Sequence, residues 1–337
     1  MRIIVLGGTR FVGRALVHEL LGANHEVLLV HRGVHEPADL PAMPHLHVPR
    51  CELTAQRREL QEFRPDALVD VSAMTGGDAE AALAAVSIEV RLLVVSSIDV
   101  YRAYTSVWSG KDTDPVPLDE CSVLRSAPPP DRGYVTPGYD YKPERYEKLD
   151  VEHEYLERGA TVCRLPMVYG EHDYKRREEF ILRRVRAGRR KIPVGSGSWL
   201  WSRGCATDLA VGMRLALESD TAVGEVFNLC ESHCASVRLW AEQILAAAGW
   251  EAELVSVPEE TLPEDLDITG SFSQHWLAGA TKARELLGWV HSPPERAVER
   301  SVRWHLEHPP TETGDFGADD AALTVGRVPP DASSEAS

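Results

Sequence analysis

The 337-residue sequence has no excess of positive charge. Its 36 lysine and arginine residues stand against 52 aspartate and glutamate residues, which gives a formal net charge of −16 at pH 7. Because nucleic-acid-binding surfaces need a basic footprint, this charge argues against a nucleic-acid partner. Residues 174–191 are a basic exception whose apolar side chains fall at helical spacing. That spacing is typical of a solvated helix face, with contact to an anionic substrate as the alternative.

The sequence also lacks any apolar run of about 18 residues, so we predict no membrane-spanning helix. Its six cysteines do not have the spacing of a disulfide framework. Met1 leads directly into a strand-like segment rather than a signal sequence, and we therefore expect reduced thiols and a cytoplasmic location. The fragment CESHC, Cys230 to Cys234, has no second ligand pair at usable spacing, so we predict no metal site.

The first half of the sequence alternates apolar runs with helix-like segments. The runs RIIVLGG, HEVLLVHRG, DALVDVSA and RLLVVSS are rich in valine, isoleucine and leucine without alternation, as in parallel strands that are buried on both faces. Helix-like segments between them indicate βαβ crossovers. We predict an α/β fold: a Rossmann-type doubly wound parallel sheet with a smaller C-terminal substrate lobe.

A glycine-rich turn, GGTRFVG, lies between the first predicted strand and the first predicted helix. Backbone N–H groups of such a turn can approach a pyrophosphate, which also gains from the N-terminus of the helix. The turn departs from a GxxGxxG pattern because an arginine replaces the middle glycine. Its place at the start of a βαβ unit predicts a dinucleotide site that contains Gly7, Gly8, Thr9, Arg10, Phe11, Val12 and Gly13.

The second predicted strand ends without the acid that would accept a hydrogen bond from the 2′-hydroxyl of a ribose. His31 and Arg32 stand there instead. A guanidinium favours a 2′-phosphate through charge-assisted hydrogen bonds, and Arg10 would add a second positive charge. We therefore favour NADP over NAD; the alternative is that Arg32 faces solvent and NAD binds through its other contacts. Two further positions complete the predicted cofactor site: Ser72 and Pro166.

The expected organisation has three parts. Residues 1–170 form an NAD(P)-binding Rossmann domain with a loop insertion at 102–138, and residues 171–308 form a mixed α/β substrate lobe that also returns elements to the Rossmann domain. Residues 309–337 are acidic, rich in proline, glycine and serine, and poor in large apolar side chains. This composition predicts a disordered tail.

The segments GGTRFVG, VVSSIDVYR and CRLPMVYG resemble segments of the extended short-chain dehydrogenase/reductase superfamily, and of its NAD-dependent epimerase/dehydratase family. The first is similar to the version found in the atypical branch. RGCATDLAVGMRLAL and GEVFNLCES match the C-terminal half of the family in order and spacing. The resemblance implies an NAD(P)-dependent oxidoreductase or epimerase that acts by hydride transfer on a hydroxyl or keto group of a small polar or sugar-like substrate. It also implies a possible homodimer.

In active members of this family a serine or threonine, a tyrosine and a lysine act together. The resemblance places Ser97 as the hydroxyl that polarises the substrate oxygen. It places Lys148 as the lysine that holds the nicotinamide ribose, because Glu152 repeats the family's Lys-x-x-x-Glu pattern. The tyrosine position, four residues before the lysine, is occupied by Glu144. We predict a helix over residues 143–158, with a proline in its first turn and a glycine after its end.

Helical geometry bears on the nearest tyrosine. Residues two apart on a helix lie on different sides, so Tyr146 would point away from the cofactor if Lys148 faces it. Lys142 and Tyr146, four apart, could form a reversed pair, but the match at Glu152 would then fail.

Three interpretations of the missing tyrosine remain open. Tyr141 or Tyr139 could supply the acid/base from the loop before the helix. Glu144 could replace the tyrosine if burial raises its pKa toward neutrality. Alternatively, proton transfer is lost, and the chain is a catalytically reduced dinucleotide-binding sensor or regulator. A dehydratase, with Asp99 or Glu144 as the carboxylate, is a further possibility.

Two features bear on the substrate. Met167 stands where many nucleotide-sugar enzymes of the family have an asparagine, which weakens a nucleotide-sugar assignment. Trp199, Trp201 and Arg203 could line an amphipathic pocket, or could belong to the core and surface of the second lobe.

Overall fold

The computed structural model describes residues 1–130, 146–311 and 314–325. Its strands are β1 (Arg2–Leu6), β2 (Glu26–His31), β3 (His45–His47), β4 (Ala67–Asp70), β5 (Arg91–Ser97), β6 (Thr161–Leu165), β7 (Met167–Tyr169), β8 (Lys191–Val194), β9 (Arg203–Cys205), β10 (Val226–Asn228) and β11 (Glu253–Ser256). Its helices are α1 (Phe11–Gly22), α2 (Arg57–Glu62), α3 (Gly76–Ala85), α4 (Ser106–Ser109), α5 (Lys148–Leu156), α6 (Glu179–Arg186), α7 (Ala206–Glu218), α8 (Val237–Ala247), α9 (Thr281–Leu287), α10 (Pro294–Glu307) and α11 (Gly317–Val325). Within these described ranges, no helix combines the length and the apolar character that crossing a bilayer requires.

Seven strands form the central sheet in the order β10-β6-β5-β4-β1-β2-β3, and all neighbours are parallel. This arrangement confirms the predicted Rossmann-type doubly wound sheet. The order of the strands reverses between β1 and β4, so a crevice forms outside their carboxyl ends, where α/β proteins bind ligands. Outside the sheet, β7 pairs with β9 and β8 pairs with β11.

The central sheet is buried on both faces. Ile3 and Val5 of β1 pack into one hydrophobic cluster and Ile4 into another, because successive side chains of a strand point to opposite faces. Helices α1 and α7 pack together on the first face, and α3 and α5 pack together on the second. This two-sided burial explains why the strand sequences are continuous apolar runs rather than alternating ones.

The segment after β5 is held against the C-terminal part of the chain. The backbone N–H of Leu118 donates to the carbonyl of Leu277 over 2.7 Å. The side-chain oxygen of Gln274 accepts from the backbone N–H of Thr113, also over 2.7 Å. The first part of the predicted loop insertion is therefore fixed to the C-terminal part of the chain, while residues 131–138 are outside the described ranges.

The predicted helix over residues 143–158 is shorter at its N-terminus than the sequence suggests. Helix α5 begins at Lys148, and Glu147 is its N-cap, with a carboxylate that accepts from the backbone N–H of Leu149. Glu147 is extended (φ −151°, ψ 99°) and its own N–H donates to the carbonyl of Met74. Tyr146 therefore lies before the helix, not on it. Residues 139–144, which include Tyr139, Tyr141 and Glu144, are outside the described ranges.

The prediction of a disordered tail is wrong for residues 317–325, which form α11. Asp319 is buried there and forms a two-point ion pair with the fully buried Arg184 of α6, with N–O distances of 2.6 and 2.7 Å. Asp265 pairs with the same guanidinium. The basic stretch at 174–191 is thus only partly a solvated face, because Arg184 uses its charge inside the protein.

Candidate active site

The turn between β1 and α1 requires its glycine at position 7. Gly7 has φ of +87°, and a Cβ placed there would lie 2.6 Å from the Cβ of Ser72. This close approach brings the predicted cofactor residue Ser72 directly against the glycine-rich turn. Arg10 is the N-cap of α1 and makes no side-chain capping hydrogen bond. The first N–H groups of the helix therefore point toward the crevice without a side-chain cap, which suits a phosphate group.

Phe11 opens α1 with an unusual backbone. Its φ is +39°, which is rare for a residue other than glycine, and its ring meets that of Tyr174 edge-on at 6.2 Å. Strained conformations of this kind cluster at ligand-binding turns. Val12 and Gly13 follow in the first turn of α1, where Gly13 is buried and a Cβ would lie 2.1 Å from the carbonyl oxygen of Gly7.

Positive groups gather at the carboxyl end of β2. The Arg10 guanidinium lies 2.6 Å from the Nε2 atom of His35, and Arg32 is exposed nearby. The pKa of His35 is lowered by partial desolvation and by the charges of Arg10 and Arg32. Burial lowers the pKa of His31, the last residue of β2, to about 4. Arg10 and Arg32 thus both lie close enough to His35 to lower its pKa.

A buried ion pair supports the end of β4, and sequence reasoning missed it. Asp70 is fully buried and accepts from both terminal nitrogens of Arg50 and from the hydroxyl of Tyr155. Burial acts to raise the pKa of Asp70, but the Arg50 guanidinium holds it below its usual value. Arg50 also donates to Ser72 over 2.7 Å. The pair therefore fixes the serine that touches the glycine-rich turn.

Lys148 lies under the carboxyl edge of the sheet. Its Nζ donates to the carbonyl of Ala73 and, over 3.0 Å, to that of Val95, so it bridges the ends of β4 and β5. Burial lowers its pKa to about 8, against the opposing charges of Asp70 and Asp99. These two bonds use two of the three N–H donors of the ammonium group.

Glu152 is the residue whose place in the Lys-x-x-x-Glu pattern identified Lys148. Its side chain pairs with a different residue. Its carboxylate forms a buried two-point ion pair with Arg164 of β6, at 2.9 and 2.7 Å, and accepts from Ser96. Arg164 in turn donates to Tyr101, whose hydroxyl donates to Asn228. The Lys-x-x-x-Glu pattern therefore ties α5 to the sheet and leaves Lys148 at the crevice.

Tyr146 is the described tyrosine beside Ser97. Its hydroxyl donates to Asp99 Oδ2 over 2.8 Å, and Ser97 Oγ, which lies beside both side chains, accepts from the backbone N–H of Asp99 over 3.2 Å. The helical argument that turns Tyr146 away from the site is wrong, because this residue precedes the first turn of α5. Burial and the Asp99 charge raise the pKa of Tyr146 well above its usual value, and burial raises the pKa of Asp99.

Several buried polar atoms lie near this group. Asp99 Oδ1 has no hydrogen-bond partner among the residues that the structure describes. In the same described ranges, the Tyr104 hydroxyl and the Trp201 indole nitrogen lie close to each other but miss hydrogen-bond geometry. Burying such atoms costs about 1–3 kcal/mol each unless water or a ligand meets them. This arrangement is typical of a site for a polar ligand.

The other predicted substrate residues are mainly structural. Trp199 is 3% exposed, stacks on Phe272 at 4.0 Å and donates its indole N–H to the carbonyl of Gln274. Arg203 is buried, with its guanidinium over the ring of Trp240. These contacts favour the interpretation that Trp199 and Arg203 belong to the core and do not line a pocket. Trp201, in contrast, borders the polar atoms described above. Pro166 is buried between β6 and β7, and Met167, the first residue of β7, is also buried.

A family model for the NAD dependent epimerase/dehydratase family matches residues 3–230. The chain belongs to the NAD-dependent epimerase/dehydratase family. The 2'-dehydrokanamycin reductase of Streptomyces kanamyceticus is 27% identical over 278 residues, which cover 79% of this chain and 72% of the relative. The chloroplast stem-loop binding protein of 41 kDa b of Arabidopsis thaliana is 26% identical over 310 residues, covering 86% of this chain and 74% of that protein.

Solved structures of epimerases share the fold of this family member. UDP-glucose 4-epimerase of Thermotoga maritima, with UDP-glucose, has a TM-score of 0.69 at 18% identity over 91% of this chain and 99% of its own. UDP-glucose-4-epimerase of Stenotrophomonas maltophila, with NAD and formylated UDP-arabinopyranose, has a TM-score of 0.70 at 18% identity over 91% and 98%. Membership confirms the resemblance stated from the sequence.

Proposed function

We propose that the chain is an NAD(P)-dependent oxidoreductase or epimerase that transfers a hydride at a hydroxyl or keto group of a small, sugar-like substrate, with Tyr146 as the proton donor. The observation that carries the proposal is the contact of the Tyr146 hydroxyl with Asp99, beside Ser97. A serine, a tyrosine and the nearby Lys148 thus meet at one edge of the sheet without the usual four-residue spacing. The family supports this chemistry, and its low-identity structures support the fold.

The described residues fit a dinucleotide. The glycine turn and the uncapped N-terminus of α1 suit its pyrophosphate, and the third N–H donor of Lys148 suits the nicotinamide ribose. A bound dinucleotide supplies hydride chemistry at its nicotinamide ring. We propose NADP as the preferred form, because Arg10 and Arg32 both lie near His35 and Arg32 follows the end of β2, where an acid would select NAD.

A protonated Tyr146 can serve the reduction of a keto group. Because its pKa is raised, the phenol keeps its proton at neutral pH. As the carbonyl carbon of the substrate accepts a hydride, its oxygen takes the proton of the Tyr146 hydroxyl, and the tyrosine is left as a phenolate. We propose that the Ser97 hydroxyl donates to the same oxygen. A relative that is named as a reductase points in the same direction.

The polar atoms of Asp99, Tyr104 and Trp201 support a hydroxylated substrate, since such a molecule could supply the missing hydrogen bonds. Solved structures of the fold hold UDP-sugars. In this chain Met167 replaces the asparagine of many nucleotide-sugar enzymes, so we propose a keto sugar or similar polar ring that does not require a nucleotide.

Cofactor binding followed by turnover tests the proposal. Titration with NADPH or NADH, followed by nicotinamide fluorescence, should show micromolar or tighter binding with NADPH preferred. Mixing the NADPH complex with a panel of keto sugars, free and nucleotide-linked, should consume NADPH. Tight binding without turnover over the whole panel would instead indicate a sensor, and failure to bind either dinucleotide would contradict the proposal entirely.

Arg32→Ala tests the cofactor preference separately. Loss of a charge-assisted hydrogen bond to a 2′-phosphate should weaken NADPH binding about tenfold or more and leave NADH binding nearly unchanged. Arg58→Ala is the matched control, because this exposed arginine pairs at the surface with Glu62 on α2. Equal weakening of NADPH and NADH by Arg32→Ala would show that this arginine does not read the 2′-phosphate.

A further inference from the structure

The end of β2 and the short strand β3 place three histidines on one face of the sheet edge. His31 pairs with His47 in the parallel register, and His45 lies two residues before His47 on the same face. The rings of His31 and His47 are 4.8 Å apart, and those of His31 and His45 are 5.1 Å apart. Three imidazoles thus converge at a strand edge next to the predicted cofactor site.

A carboxylate completes this group. Glu36, in the loop between β2 and β3, places its Oε1 atom 3.3 Å from His31 Nε2 and 3.4 Å from His45 Nδ1. The same oxygen contacts His47 Nε2. The four candidate ligand atoms all lie within 4.8 Å of one another. We call these four residues the His3Glu cluster.

We propose that the His3Glu cluster is a binding site for a divalent transition-metal ion, with Zn²⁺ as the ion that it fits best. The ligand atoms of a tetrahedral zinc site are separated by roughly 3.3 Å, as follows from zinc–nitrogen bonds of about 2.0–2.1 Å. The distances from Glu36 to His31 and His45 match this separation, and the 2.9 Å between His31 Nε2 and His45 Nδ1 is somewhat shorter.

The coordinating atoms of the His3Glu cluster indicate which kind of ion it binds. Mg²⁺ and Ca²⁺ prefer oxygen ligands, whereas three imidazoles and one carboxylate suit Zn²⁺. An anion is disfavoured, because the Glu36 carboxylate already lies among the three rings. The side chains of Glu36 and His47 are 43% and 52% exposed. An ion can therefore reach the cluster from solvent.

Metal binding requires one local change. The backbone N–H of Gly33 now donates to His31 Nδ1 over 3.1 Å. When Nε2 binds a metal, Nδ1 carries the ring proton, so this N–H must turn away. Gly33 has φ of +73° and no side chain, so the backbone can rotate there at low cost. The adjacent residue is Arg32, which places the cluster beside the proposed 2′-phosphate position without using it.

Zinc titration of the full-length protein tests the site. After treatment with a chelator, the protein should bind one equivalent of Zn²⁺ in competition with a chromophoric chelator. His45→Gln or His47→Gln should weaken this binding by about 100-fold or more. His153→Gln is the matched control, since His153 is an exposed histidine beside a single glutamate, Glu157. It should bind zinc like the wild type.

Cobalt spectroscopy identifies the ligands. Co²⁺ bound to the wild type should give the visible bands of tetrahedral coordination without a thiolate charge-transfer band. Cys234→Ser should leave both metals bound. Glu36→Gln should also weaken zinc binding. Because it changes an exposed side chain in a loop, it can replace a histidine variant that misfolds. The proposal would be overturned if the wild type bound no stoichiometric zinc. It would also be overturned if zinc binding survived in the double variant His45→Gln/His47→Gln, or if it were lost in Cys234→Ser.

Discussion

Tyr146 and Asp99 are paired at the carboxyl end of β5, where burial raises the pKa of both side chains. Their hydrogen bond of 2.8 Å is buried, and burial favours the neutral form of each group. Lys148, two residues after Tyr146, is held by two backbone carbonyls instead of by the tyrosine. The lysine therefore acts on cofactor binding in this account, and the tyrosine acts on proton transfer.

This division predicts a pH dependence of cofactor affinity. Because burial lowers the pKa of Lys148 to about 8, its ammonium form is present below that pH and is lost above it. NADPH binding should therefore weaken as pH rises through about 8. Lys148→Met should bind NADPH more weakly and lose this dependence. Fluorescence titration at several pH values measures both effects, and an identical pH dependence in the variant would assign the titration to another group.

At the scale of elements, the turn from β1 into α1 depends on backbone geometry. Gly7→Ala should lower the free energy of unfolding by about 1–3 kcal/mol and weaken NADPH binding, because φ is positive and the added Cβ meets Ser72. Gly22→Ala, in the last turn of α1, is the control. A Cβ there meets nothing within 4 Å, so stability should rise by about 1 kcal/mol or less. Urea denaturation compares the two; equal effects would contradict the steric explanation.

The contact of α11 with α6 makes a second prediction at this scale. Asp319→Asn should destabilise the protein by about 3 kcal/mol, because it leaves the buried Arg184 with only one carboxylate partner. Asp320→Asn removes a neighbouring carboxylate that is 62% exposed, and it should cost less than about 1 kcal/mol. Chemical denaturation at one pH measures both. Similar small losses would show that α11 is not part of the cooperative unit.

The sequence predicts those elements whose determinants are local. The strands β1, β2, β4 and β5 are continuous apolar runs, and the glycine turn lies directly after the first of them. The start of α5 is not predictable in this way, because Glu147 is fixed by the carbonyl of Met74 and by an ion pair with Arg125. Likewise, α11 depends on a contact between residues that are 135 positions apart. An HxH pattern on a strand of three residues gives little signal until its pairing with β2 is known.

At the scale of the whole molecule, the sheet order brings distant segments to one edge. The carboxyl ends of five neighbouring strands carry the candidate site, and their residues are Gly7, Arg32, Ser72, Ser97 and Pro166. Ligands of doubly wound sheets bind at this edge. Because Tyr146 enters the same edge from a segment that precedes α5, the proposed proton donor does not lie on the helix.

The rate of hydride transfer in Tyr146→Phe and Tyr141→Phe tests this account most directly. The measurement is the single-turnover loss of NADPH absorbance after mixing with the best keto sugar of the panel, with NADPH affinity determined in parallel. Tyr146→Phe should slow the step by about 100-fold or more at nearly unchanged affinity, and Tyr141→Phe should stay within about threefold of the wild type. A large loss in Tyr141→Phe with near-normal transfer in Tyr146→Phe would contradict the account.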